Sequence, residues 1–101
     1  SILPPVTHEI RAEVRRTETA RYSRLDIRDD RHPFWIVSEV VEGRVAVSCG
    51  EWSDVASPGD AMVLAPGIPF SERNDGPGLH RWGLFSLTGP DDLFAGLSAI
   101  V

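Results

Sequence analysis

Between Gly59 and Asn74 the chain reads Gly-Asp-Ala-Met-Val-Leu-Ala-Pro-Gly-Ile-Pro-Phe-Ser-Glu-Arg-Asn, a strand-length apolar run held between two rigid turns. Pro58 presets φ, Gly59 tolerates positive φ, and Asp60 can hydrogen-bond its own backbone, so a turn precedes the run. Ala61 to Ala65 suits a strand and is too short for a stable helix. Pro66 and Pro69 stop it, since neither can donate to a sheet ladder. From Phe70 a new strand is expected, with Phe70, Glu72 and Asn74 on one face and Ser71 and Arg73 on the other.

The rest of the chain repeats this grammar. Phe34 to Val41 is rich in aromatic and β-branched residues, the strongest strand signal present. Gly43 interrupts it as a bend or bulge before Arg44 to Ser48 resumes. Cys49-Gly50 reads as a hairpin turn into Glu51 to Val55, with Cys49 a plain turn residue. Asn74 to Gly78 is a loop. Leu79 to Leu87 is a strand with His80, Trp82, Leu84 and Ser86 on one side. Upstream, Glu9 to Tyr22 fits an edge strand with one wet face, a thin-faced helix being the alternative. Arg24 to Ile27 is a short strand, and Asp29 to Pro33 a loop in which His32 reads as a surface residue. Pro4-Pro5 makes residues 1–7 an extended arm. After Thr88, capping chemistry and the spacing of Leu93, Phe94, Leu97 and Ile100 predict the start of a C-terminal helix over 91–101. Many short strands separated by turns predict an all-β sandwich or barrel.

Composition narrows the function. The 101 residues predict one domain. The net charge is −5, and all ten cationic residues are arginines interleaved with acids. Such a surface is a poor match for nucleic-acid phosphates. No apolar run approaches the roughly 20 residues of a membrane span and no signal peptide is recognisable, so a cytoplasmic protein is expected. A single cysteine excludes an intrachain disulfide.

The Gly59-Asp60 turn, the apolar strand, Pro66-Gly67 and Asn74 together resemble the second conserved motif of the cupin superfamily. Phe70 stands where metal-binding cupins place a histidine, and a phenyl ring cannot coordinate a metal. No metal or other cofactor is therefore expected. Adding Phe34-Trp35-Ile36-Val37, Glu42-Gly43-Arg44 and His80-Arg81-Trp82 with Phe85, the stretch from Phe34 to Leu87 resembles the N-terminal effector-binding domain of AraC-type transcription regulators.

That resemblance implies a cupin-like jelly-roll barrel with a short C-terminal helix, enclosing a small organic effector. It also implies a homodimer, with DNA binding supplied by a separate helix-turn-helix domain absent from this chain. His80 and Trp82 match a His-x-Trp that faces sugar in the family, where the imidazole can hydrogen-bond a hydroxyl and the indole can stack on a ring. Glu42 and Glu72 depart from the sugar-binding pattern. The expected ligand-binding residues are His80, Trp82, Trp35, Phe70, Glu72 and Glu42, although aromatic residues in small barrels more often fill the core. An enzyme is not expected. The alternative is a stand-alone metal-free cupin, either a sugar-modifying isomerase or a small-ligand-binding protein.

Overall fold

The computed structural model describes residues 11–88 and 98–101. Among the described residues nine strands follow one another: β1 (Arg11–Tyr22), β2 (Leu25–Asp30), β3 (Trp35–Glu42), β4 (Val45–Cys49), β5 (Trp52–Ala56), β6 (Ala61–Leu64), β7 (Phe70–Asn74), β8 (Gly78–Thr88) and β9 (Ala99–Ile100). They form two antiparallel sheets, ordered β1-β8-β3-β6-β9 and β2-β7-β4-β5. The expected all-β architecture is present, and the ambiguous segment ending at Tyr22 is a strand at the edge of the larger sheet.

Period-two alternation decides what each strand contributes to the space between the sheets. On β8, His80 and Leu84 are buried while Arg81 is exposed. Val40 and Ser38 on β3 face the same way, paired with His80 and Trp82. On β7, Phe70 and Glu72 are buried and Arg73 is exposed. The closed core joins both sheets: Val40, Met62 and Leu64 from one pack with Val45, Val47, Cys49, Ala56 and Phe70 from the other. Each large aliphatic side chain buried there stabilises the fold by roughly 1.5–3 kcal/mol. These residues lie mainly on β3, β4, β5 and β6, so packing fills one side of the sandwich.

The turns are held by specific bonds. Val40 N–H donates to the Asp60 carbonyl and Gly59 N–H to the Val40 carbonyl, each at 2.9 Å. Asp60 Oδ2 accepts from Ser57 N–H at 2.8 Å, so the aspartate closes this turn through the backbone three residues earlier rather than through its own. Between β3 and β4, Gly43 adopts φ +90°. A Cβ there would come 2.6 Å from Asn74 Nδ2 and 2.9 Å from the Pro77 carbonyl. The glycine is required twice over, by its dihedral and by the loop that crosses it.

Two expectations need correction. Ile100 does not continue a helix: it sits in β9, with Met62↔Ile100 and Val63↔Ala99 in antiparallel register. Ala61 and Val101 exchange both backbone bonds at 2.8 Å. An edge strand satisfies the backbone of these residues where helical spacing suggested otherwise. The described residues contain no helix, and the remainder of the predicted helix (91–97) lies outside them, as does the predicted arm at 1–7. Cys49 is not a turn residue but the last of β4, 5% exposed within the core. The turn is Gly50-Glu51, closing the Cys49↔Trp52 pair.

Candidate ligand-binding site

The side of the sandwich opposite the packed core is open. A cavity of about 270 Å³ lies between the inner faces of β1, β8 and β3 and those of β2 and β7. Ala20 and Tyr22 come from β1; Leu25, Ile27 and Asp30 from β2; Ile36 and Ser38 from β3. Phe70 and Glu72 come from β7, His80, Trp82 and Leu84 from β8, and His32 from the loop after β2. A wider depression of about 660 Å³ lies on the larger sheet, lined by Val14, Val37, Gly83 and Phe85 among others. It is open and shallow and encloses no buried polar group, so the smaller cavity is the better site.

A string of side chains crosses the cavity's edge. Gly76 N–H donates to Asn74 Oδ1 at 3.0 Å, which orients the amide so that Nδ2 donates to the Tyr22 hydroxyl at 3.3 Å. With the Tyr22 oxygen accepting that bond, we assign its own proton to His80 Nε2, 2.8 Å away. Nε2 is then an acceptor, so Nδ1 carries the hydrogen and faces Ser38 Oγ at 3.4 Å. The rings of Tyr22 and His80 meet edge to face with centroids 5.1 Å apart. Burial lowers the His80 pKa, consistent with a neutral ring. Burial, countered by the Asn74 bond and reinforced by the Glu72 charge, raises that of Tyr22.

Glu72 is different. It is 7% exposed, and its register neighbours on the inner face are Ile27 on β2 and Val47 on β4. No hydrogen bond or ion pair reaches its carboxyl among the described residues. Desolvation pushes its pKa from 4.5 up to about 7. At neutral pH the group is poised between acid and carboxylate.

Of the six residues expected at the site, His80, Trp82, Phe70 and Glu72 line this one cavity. Trp35 and Glu42 do not. Trp35 pairs with Phe85 and shares its face, opposite to that of Ile36 and Ser38; the two rings stack with centroids 6.2 Å apart. Glu42 is exposed and bonds Arg21 Nη1 at 3.2 Å, having followed a register shift at the end of β3. His32 was expected at the surface. Its ring instead lines the cavity, and its Nδ1 is buried without a partner among the described residues. The loop is held by Gly67 N–H donating to the His32 carbonyl at 2.8 Å.

Tyr22, Ser38 and His32 are thus site residues that pattern reading missed. Only Tyr22 left a signal, as the aromatic residue ending the ambiguous first strand. Among the described residues, no three His, Cys, Asp or Glu side chains converge as a metal-ligating group. No protein-family model matches the chain, and no curated protein matches its sequence.

Proposed function

We propose that the chain is the small-molecule-sensing and dimerisation domain of an AraC-type transcription regulator, acting in the cytoplasm. DNA binding is assigned to a helix-turn-helix domain outside this chain. The observation that carries the reading is the meeting of His80 and Trp82, the His-x-Trp of the resemblance, with Phe70 and Glu72 around one internal cavity. The strand order supports a cupin-like jelly roll: β1-β8-β3-β6 facing β2-β7-β4-β5 is the order expected of two interleaved Greek keys. Small barrels of this kind hold one small ligand where side chains leave the interior unfilled.

The structure changes the expected part of His80. Both of its ring nitrogens are engaged, by Tyr22 and Ser38. The Ser38 contact at 3.4 Å is the weaker, so Nδ1–H is the group a ligand acceptor would take over. Trp82 supplies a flat apolar wall.

Tryptophan fluorescence during a metabolite screen, repeated on Trp82→Phe, tests sensing; a verified ligand that binds the variant with unchanged affinity and quenching would place the site elsewhere. Dimerisation rests on the resemblance. Sedimentation of the full-length protein at tens of micromolar should show a dimer, and a monomer at every concentration would reject that part.

One observation favours a second reading, a metal-free isomerase. A buried carboxyl with a pKa of about 7, such as Glu72, suits general acid–base chemistry. Turnover of a bound sugar, lost in Glu72→Gln, would replace the sensing role with a catalytic one.

A further inference from the structure

We infer that the cavity accepts a ligand carrying a protonated amine, with the Glu72 carboxylate as its anchor and aromatic rings as its apolar walls. This rests on the small-ligand reading above and specifies the chemistry of that same site.

Four observations converge. The first is the unpartnered state of Glu72, which is 7% exposed, lines the cavity and has no donor among the described residues. Buried carboxylates are held by cations or hydrogen bonds, so a deep one facing an open cavity calls for a donor from the ligand. The second is the sign of the lining. Its acids are Glu72 and Asp30, and no arginine lines it, although the chain has ten cationic residues, all arginine. Arg16, the cation stacked on Trp82 at 5.8 Å, is bonded to Glu18. An anionic ligand would enter a site with no positive group to meet it.

The third observation is that the cavity's other polar groups are spent on one another. Tyr22, His80, Ser38 and Asn74 bond one another, and only the weak Ser38 contact leaves a donor to a ligand, which is little to match the several hydroxyls of a sugar. The buried Nδ1 of His32 remains, and as an acceptor it can take a second ammonium N–H. The fourth is the wall itself. Tyr22, Phe70 and Trp82 line the same space, and aromatic faces attract cations. A volume of about 270 Å³ limits the ligand to a single ring or a short chain.

The test uses benzylammonium, benzyl alcohol and benzoate, which share a ring and differ in charge. Each is titrated into the protein at pH 8 while the indole NMR resonance of Trp82 is followed. Benzylammonium should bind at least about tenfold tighter than the alcohol, and benzoate weakest, as expected for a desolvated charge-assisted bond. Glu72→Gln should erase the advantage of the ammonium over the alcohol. In the unsubstituted protein, ammonium affinity should rise about tenfold from pH 6 to pH 8 as Glu72, with its pKa of about 7, ionises. The other titratable groups lining the cavity are Tyr22, His80, Asp30 and His32. The pH series needs no variant and stands even if Glu72→Gln folds poorly.

Equal or tighter binding of the alcohol or benzoate overturns the amine assignment and leaves small-ligand binding in place. An ammonium preference that survives Glu72→Gln overturns the anchor. Failure of all three probes at millimolar concentration overturns the assignment and counts against the cavity as a ligand site.

Discussion

The Tyr22 hydroxyl lies 2.8 Å from Nε2 of His80 and 3.3 Å from Nδ2 of Asn74, joining a residue of the smaller sheet to two of the larger. Removing that oxygen strands both neighbours at once. Tyr22→Phe is expected to destabilise the protein by about 1–3 kcal/mol, the cost of leaving partly buried polar groups unpaired. Urea denaturation measures it. Nitrogen-15 NMR of the parent should show His80 neutral at pH 7 with the proton on Nδ1. A dominant Nε2–H form would contradict the bond order described.

Glu72 sets a second expectation through linkage. Its folded pKa, about 7, lies above the ordinary value of 4.5, so the folded state keeps a proton that the unfolded chain releases. Its contribution to stability is complete below about pH 4.5 and falls as pH rises to about 7. His80 acts in the opposite sense, since its lowered pKa removes stability as pH falls below 6.5. The two overlap, so the wild-type profile alone is ambiguous. The difference between Glu72→Gln and wild type isolates the carboxyl. It should favour the variant more at pH 8 than at pH 4, by up to about 3 kcal/mol. A difference independent of pH would show that Glu72 is solvated.

Gly43 and Gly59 share nearly the same dihedral, φ +90° and +95°, in different surroundings. A Cβ at Gly59 would meet nothing within 4 Å, whereas one at Gly43 would collide with Asn74 and Pro77. Both alanine variants carry the backbone strain of roughly 1–3 kcal/mol. Gly43→Ala should lose clearly more, because a backbone carbonyl cannot yield as a side chain can. Equal melting temperatures for the two would refute the close approach of the 74–78 loop.

Cys49 is 5% exposed in the core. Its thiol should react with a water-soluble disulfide reagent only at the rate of unfolding, and promptly in denaturant. Fast labelling of the native protein would show the β4–β5 side of the sandwich to be open.

The pairs of residues that alternation could place, it placed well. Phe70, Glu72 and Asn74, and likewise His80, Trp82 and Leu84, face inward together because an uninterrupted strand has a strict period of two. Trp35 shows where that reasoning stops. Its strand is apolar on both faces, so composition cannot say which face is inner; the distant Trp35↔Phe85 pairing does. Tyr22 was obscured by the register shift between Val14 and Arg16, which breaks the parity of β1. His32 owes its position to a loop tied by one backbone bond, and a two-residue strand such as β9 has no periodicity to read. Glu72 was legible as an inward acid, but its missing partner was not, since that depends on Ile27 and Val47 from two other strands.

The extra residue in β1 also bears on how copies of this chain can meet. The larger sheet ends at β1 on one side and at the two-residue β9 on the other. β1 carries Arg11, Glu13, Arg15, Arg16, Glu18 and Arg21, and its bulge spoils the straight row of backbone groups that a second strand would need. Short, charged or kinked borders discourage ribbon-to-ribbon annealing and the fibrils that grow from it. Any pairing of two copies is therefore expected to avoid the margins of the larger sheet, even with so much of the chain in strands.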